Sequence, residues 1–104
     1  MNSVILSFLI PVYNAEKFLR RCLNSIVLQK NYNQRIEILV VNDGAIDGSI
    51  DIINDFALRY KNLNVISREN RGIGATRNEL IENAKGKYFW FVDADDYIDP
   101  IALD

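Results

Sequence analysis

Strand-like runs at residues 4–12, 36–41, 64–67 and 88–92 alternate with stretches of three- and four-residue apolar spacing, and this alternation constrains the fold more than any single motif. The first run, Val4-Ile-Leu-Ser-Phe-Leu-Ile-Pro-Val12, is almost wholly apolar, as expected of a central strand covered on both faces; Pro11 is tolerated because the strand is ending there. Asn14 offers an N-cap, and Ala15, Phe18, Leu19, Cys22, Leu23, Ile26 and Val27 then repeat on one helical face, with Lys17, Arg20, Arg21 and Asn24 opposite. The run Ile36-Glu-Ile-Leu-Val-Val41 ends in Asn42-Asp43-Gly44, and Asp47 caps a second helix with Ile52, Ile53, Phe56, Ala57 and Tyr60 on one side. Residues 64–67 form a third strand, and residues 75–84 a third helix closed by Gly86. Tyr88-Phe-Trp-Phe-Val92 reads as a last strand covered on both faces, with a carboxylate cluster at its tip.

The order β-α-β-α-β-α-β predicts an α/β fold of three layers, with a mostly parallel sheet, right-handed crossovers and helices on both faces. In such folds ligands sit beyond the carboxyl ends of the strands, where the strand order reverses. Tyr13-Asn14, Asn42-Asp43 and the acidic segment 93–96 all fall at strand carboxyl ends, so topology alone brings them to one edge.

At 104 residues the chain is read as one domain, 1–104, or part of a larger one. A net charge of −2 without any run of Lys or Arg predicts no nucleic-acid partner. There is no histidine, which removes imidazole catalysis and the commonest transition-metal ligand. The lone Cys22 cannot form an intramolecular disulfide and falls on an apolar helix face, which favours a buried thiol and a reducing, cytoplasmic compartment. The apolar run 4–12 is too short to span a bilayer and lacks the flanks of a signal peptide.

A dinucleotide fold would place Gly-x-Gly-x-x-Gly after the first strand, but Pro11-Val-Tyr-Asn-Ala-Glu16 has no glycine. The nearest approximation, Gly72-x-Gly74, has Arg77 where the last glycine would be, and no P-loop sequence occurs. Residues 93–104 carry aspartate at positions 1, 3, 7 and 12 of a calcium loop, yet Ile98 stands at the turn position that needs glycine. The cluster Asp93, Asp95 and Asp96 suits a hard divalent cation, while a solvated strand end is the alternative. Asp43 is either part of an Asn-Asp-Gly turn or an acceptor for a base N–H or ribose hydroxyl. Tyr13 either stacks on a base or packs on its helix. Arg68, Arg71 and Arg77 are ordinary surface charges or phosphate partners.

Four segments, Ile10-Pro-Val-Tyr-Asn14, Val41-Asn-Asp-Gly44 with Asp47-Gly-Ser49, Glu69-Asn-Arg-Gly72 leading to Arg77-Asn78, and Phe91-Val-Asp-Ala-Asp-Asp96, together resemble the family 2 glycosyltransferases. The resemblance covers nearly the whole chain. It implies the GT-A fold, its nucleotide-binding half, and a nucleotide-sugar donor bridged by Mg²⁺ or Mn²⁺. It also implies that Pro11 and Tyr13 line the base pocket, Asp43 hydrogen-bonds the base, most often uracil, and Arg77 lies near base or diphosphate. By the same resemblance Asp93 reaches ribose or metal, Ala94 belongs to the donor site, and Asp95 is the main metal ligand of an Asp-x-Asp motif.

Ala45-Ile46 stands where the family usually has Ser-Thr, and Thr76 where it usually has alanine. The resemblance further implies inverting transfer onto a glycan or lipid-linked acceptor, in polysaccharide or glycoconjugate synthesis. No catalytic residue is assigned within the chain: the general base is expected beyond residue 104, which would make the chain a donor-binding half. An absent half should leave apolar surface exposed and invite self-association into homo-oligomers, and the full protein could be tethered to the cytoplasmic face of a membrane. The alternative is a catalytically incomplete nucleotide- and metal-binding module or a scaffold half-domain.

Overall fold

A computed structural model describes residues 3–103; Met1, Asn2 and Asp104, which the expected domain 1–104 includes, lie outside the described residues. The element order is β1 (Leu6–Val12), α1 (Glu16–Val27), β2 (Ile36–Asp43), α2 (Ser49–Arg59), β3 (Leu63–Arg68), α3 (Ile73–Asn83) and β4 (Tyr88–Phe91). The strands form one four-stranded sheet in the order β3-β2-β1-β4, with every pair parallel. The first two crossovers step away from β1 on one side, and the third carries the chain back past it.

Alternate residues of the central strands feed two cores, as the period-2 geometry of a strand demands. Phe8, Ile10, Val12, Ile38 and Val40 pack with Leu19, Cys22, Leu23 and Ile26 of α1 and Ile53 and Phe56 of α2. Leu9, Leu39 and Val41 face the other way, onto Leu80 of α3. The helices therefore cover both faces, as expected, two on one side and one on the other. Truncating a fully buried aromatic such as Phe8 or Phe56 to alanine would cost about 3–5 kcal/mol.

β4 departs from its expected burial. Tyr88, Phe89, Trp90 and Phe91 are all exposed, because β4 is an edge strand paired only with β1. Pro11 lies beyond the reach of β4, whose register on β1 ends at Leu9↔Phe91, so its missing N–H interrupts no ladder on that side.

Several boundaries also move. Asn14 is not the N-cap of α1: it has φ 49° and Ala15 takes the cap position. Asn tolerates this left-handed conformation, and its Oδ1 accepts the Ile46 N–H at 2.9 Å. Gly48, not Asp47, is the N-cap of α2, although Asp47 Oδ1 still accepts the Ser49 N–H at 2.9 Å. Phe18, expected in the core, is 44% exposed. α3 starts two residues earlier than the apolar pattern suggests and is followed by extended backbone at Ala84. Gly86 does not close α3; a Cβ there would lie 2.6 Å from the Ser7 N, so close backbone approach explains the residue.

At the amino end of the sheet a carboxylate is buried, and among the described residues no cation pairs with it. Glu37, 2% exposed, accepts hydrogen bonds from Ser7 Oγ at 2.8 Å, the Lys85 N–H at 3.0 Å and Asn64 Nδ2 at 3.1 Å. Ser7 Oγ in turn accepts the Gly86 N–H at 2.8 Å, so one hydroxyl joins β1, β2 and the turn into β4. Removing it would strand the Gly86 N–H and leave Glu37 Oε1 with the Lys85 N–H alone. Ser7→Ala is expected to lower stability by about 1–3 kcal/mol, read as a reduced urea midpoint at unchanged slope.

Candidate functional site

The strand order reverses between β1 and β4, and the segments that follow β1, β2 and β4 meet at that carboxyl edge. The starts of α1 and α2 interlock there. Asp47 Oδ2 accepts the Glu16 N–H at 3.1 Å and Ser49 Oγ accepts the Ala15 N–H at 3.0 Å, while Glu16 Oε1 accepts the Gly48 N–H at 2.9 Å. Each helix thus supplies an acceptor for the other's orphan N-terminal donors. Ala45 and Ile46 are held through their backbone N–H groups by the Asn42 and Asn14 side chains.

Asp43, at the end of β2 and 4% exposed, organises the loop after β3. Its Oδ1 accepts from Arg68 Nη1 and, at 2.7 Å, from the Arg71 N–H; its Oδ2 accepts the Gly72 N–H at 3.1 Å and Asn70 Nδ2 at 3.3 Å. Gly44 allows this approach, with φ +71° and no Cβ to strike Asn70 N, which would lie 2.5 Å away. Burial pushes the Asp43 carboxyl up, but the hydrogen bonds from Arg71, Arg68 and Gly72 and the Arg68 charge outweigh it and hold the group below its ordinary value.

The acidic segment is anchored from α1. Arg21 donates from Nη2 to the Asp95 carbonyl at 3.2 Å and places its Cζ 4.5 Å from the centroid of the Tyr97 ring. Ser25 Oγ accepts the Ile98 N–H at 3.1 Å, and Gln29 Nε2 donates to the Asp99 carbonyl at 2.6 Å. Cys22 Sγ, fully buried, donates to the Asp93 carbonyl at 3.7 Å. Burial, with Asp96, Asp95 and Asp93 behind it, pushes the thiol up to about 12. Ala94 and Ile98 tuck into the core while Asp93, Asp95 and Asp96 face solvent. These three offer carboxylate oxygens all within 4.8 Å of one another. An all-oxygen set of this kind fits a hard divalent cation such as Mg²⁺ or Mn²⁺. The calcium-loop reading also needs Asp104, which lies outside the described residues.

Two adjoining clefts open at this edge. The first, about 180 Å³, is lined by Pro11, Val12, Tyr13, Asp43, Asn70, Gly72, Ile73 and Thr76. The second runs from Pro11, Tyr13 and Ile73 past Phe18 to Asp93, Ala94 and Asp95.

A family model described as Glycosyl transferase family 2 matches residues 7–104. The chain belongs to this family. Among family members it is 45% identical over 100 residues to a poly(ribitol-phosphate) beta-glucosyltransferase of Bacillus spizizenii, covering 94% of this chain and 16% of that protein. It is 44% identical over 94 residues to glycosyltransferase GlyA of Streptococcus pneumoniae, covering 90% of this chain and 13% of that one. The crystal structure of Staphylococcus aureus TarS 1-349 in complex with UDP superposes with a TM-score of 0.88 at 33% identity, over 96% of this chain and 30% of that chain. This likeness makes the fold a GT-A glycosyltransferase fold. The chain therefore spans less than a third of the length of each of these family 2 proteins.

Within this family 2 chain, Pro11, Tyr13 and Asp43 meet in the first cleft, and Pro11, Tyr13, Asp93, Ala94 and Asp95 in the second. Arg77 lines neither cleft; its Nη2 lies 3.8 Å from Asp93 Oδ1. Of the three arginines weighed as surface charges, Arg68 is drawn inward, its side chain 9% exposed. Sequence reasoning did not single out Asn70, Ile73 or Thr76 as cleft residues; Asn70 lies in the loop before α3 and within the Glu69-Asn-Arg-Gly72 motif, and Ile73 and Thr76 lie at the start of α3. Because Asp43 is more acidic folded than unfolded, its contribution to stability is full above the unfolded value of 3.8 and is lost as pH falls through and below it. Urea titrations from about pH 6 to about pH 2 should show a shallower acid loss of stability in Asp43→Asn than in the parent.

Proposed function

We propose that this chain holds the nucleoside-diphosphate part of a nucleotide-sugar donor, UDP-linked, as the donor half of an inverting glycosyltransferase. The observation that carries this reading is the pair of clefts sharing Pro11, Tyr13 and Ile73, one ending on Asp43 and the other on Asp93 and Asp95. A nucleoside diphosphate has the matching sequence of parts: a flat base with a polar edge, a ribose, and an anionic tail. Tyr13, 53% exposed, and Pro11 offer an apolar wall to the base, and Asp43 an acceptor for its N–H. Asp93 and Ala94 stand where ribose and the first phosphate would pass, with Arg77 as the nearby cation.

Asp95 and Asp93 would hold Mg²⁺ or Mn²⁺, which when bound offsets diphosphate charge and improves the leaving group. The likeness to TarS, crystallised with UDP and with UDP-GlcNAc at 33% identity in both cases, supports a uridine donor. The acceptor, a glycan or lipid-linked saccharide of polysaccharide or glycoconjugate synthesis, and the carboxylate base that would activate it are assigned outside these 104 residues. Residues 1–104 by themselves would then act as a binding module with little or no transfer. A cytoplasmic setting accords with the buried, unpaired Cys22, and self-association with the exposed aromatic row of β4.

Calorimetric titration with UDP, GDP and dTDP, with and without Mn²⁺, tests the assignment. Binding is expected to be Mn²⁺-dependent and tightest for UDP, and Asp95→Ala should abolish the Mn²⁺ dependence while leaving the thermal unfolding cooperative. Failure of all three nucleotides to bind the folded chain would overturn the reading.

A further inference from the structure

Arg68 closes β3 with a side chain that is 9% exposed and spreads its guanidinium across four acceptors. Nε donates to Glu79 Oε1, Nη1 to Asp43 Oδ1 and, at 3.1 Å, to the Glu69 carbonyl, and Nη2 to Thr76 Oγ1 at 3.0 Å. A planar fork with its donors spent in four directions cannot swing. Thr76 Oγ1, fully buried, donates its own hydrogen bond to the Gly72 carbonyl at 2.8 Å, which ties the fork to the first turn of α3.

The consequence for Asp43 is asymmetric. Oδ1 is locked by Arg68 and by the short Arg71 N–H bond, whereas Oδ2 holds the Gly72 N–H at 3.1 Å and the long, exchangeable contact from Asn70 Nδ2 at 3.3 Å. A base N–H arriving in the cleft therefore competes with a side-chain amide on Oδ2. Arg68 itself is not among the cleft-lining residues, so it acts through Asp43.

We propose that Arg68 is the positioning residue for base selection: it holds Asp43 as a fixed acceptor, so that the cleft takes bases with a ring N–H, such as uracil, over those with a bare ring nitrogen there, such as cytosine. This rests on the nucleotide-donor reading of the cleft. A carboxylate offers only lone pairs, so it rewards the N3–H of uracil and faces the N3 lone pair of cytosine. Without its cation partner the buried carboxylate would protonate more readily, and a protonated edge would offer the cytosine N3 a donor.

The test measures affinities for UDP, CDP and inorganic pyrophosphate, each with Mn²⁺, in the parent and in Arg68→Met, Arg68→Lys, Glu79→Met and Glu79→Gln. Glu79 is absent from the cleft lining and bonds Arg68, so its variants reach the base only through the guanidinium. Arg68→Met should cut the UDP-over-CDP preference roughly tenfold and Glu79→Met by a smaller factor, with pyrophosphate affinity unchanged. Arg68→Lys should restore part of the preference and Glu79→Gln most of it. A folded Arg68→Met that keeps the full preference overturns the inference alone; if that variant does not fold, an undiminished preference in Glu79→Met does so. Equal losses for all three ligands would mark Arg68 as merely structural and overturn it as well. A parent that binds UDP and CDP alike would overturn the base-reading role of the cleft and this inference together.

Discussion

Everything at the carboxyl edge depends on β1 being paired on both sides by parallel strands. A parallel neighbour cannot be reached by a hairpin, so each pairing forces a crossover through a helix. Because β2 and β3 are laid down on one side of β1 and β4 on the other, α1 and α2 cover one face of the sheet, α3 covers the other, and the strand order reverses beside β1. The register is held by opposing cores: slipping β1 by one residue would turn Phe8, Ile10 and Val12 away from α1 and α2 and toward α3.

The two ends of the sheet handle a buried carboxylate differently. Glu37 is satisfied at the amino end by a hydroxyl, an amide and a backbone N–H, all neutral donors inside a closed network. Asp43, at the carboxyl end, faces a guanidinium and borders open space. Neutral donors suffice where the group only joins strands. A cation partner offsets part of the desolvation of the carboxylate that borders the cleft. Among the described residues, no buried side-chain nitrogen or oxygen is without a hydrogen bond, so neither arrangement is a packing accident.

Element type and order were legible because they rest on periodicity, and the gathering of Tyr13, Asp43 and Asp93 was legible because parallel topology sends strand ends to one edge. Burial of β4 was not, since Tyr88-Phe-Trp-Phe91 states only that the residues are apolar and says nothing of what covers them. Asn14 satisfied the local rule for a cap, yet a tertiary hydrogen bond to Ile46 recruited it into a left-handed turn. Arg68 was hidden for the opposite reason: an arginine at a strand end defaults to the surface until Asp43, Thr76 and Glu79, distant in sequence, enclose it. The contributions of Asn70 and Thr76 likewise arise only when the loop after β3 folds back over Gly44.

The open edge gives the molecule an optical handle. Trp90 is the only tryptophan in the chain, and it leans on Phe8 with ring centroids 5.2 Å apart while remaining 37% exposed. One side of the indole therefore touches the central strand, the other meets solvent, and the backbone three residues further on carries Asp93. Its emission reports at once on whether the sheet is intact and on whether anything, a second polypeptide or a solute, has come to lie along that edge. A fold that leaves its single tryptophan at such a boundary carries its own label for following what happens at that edge.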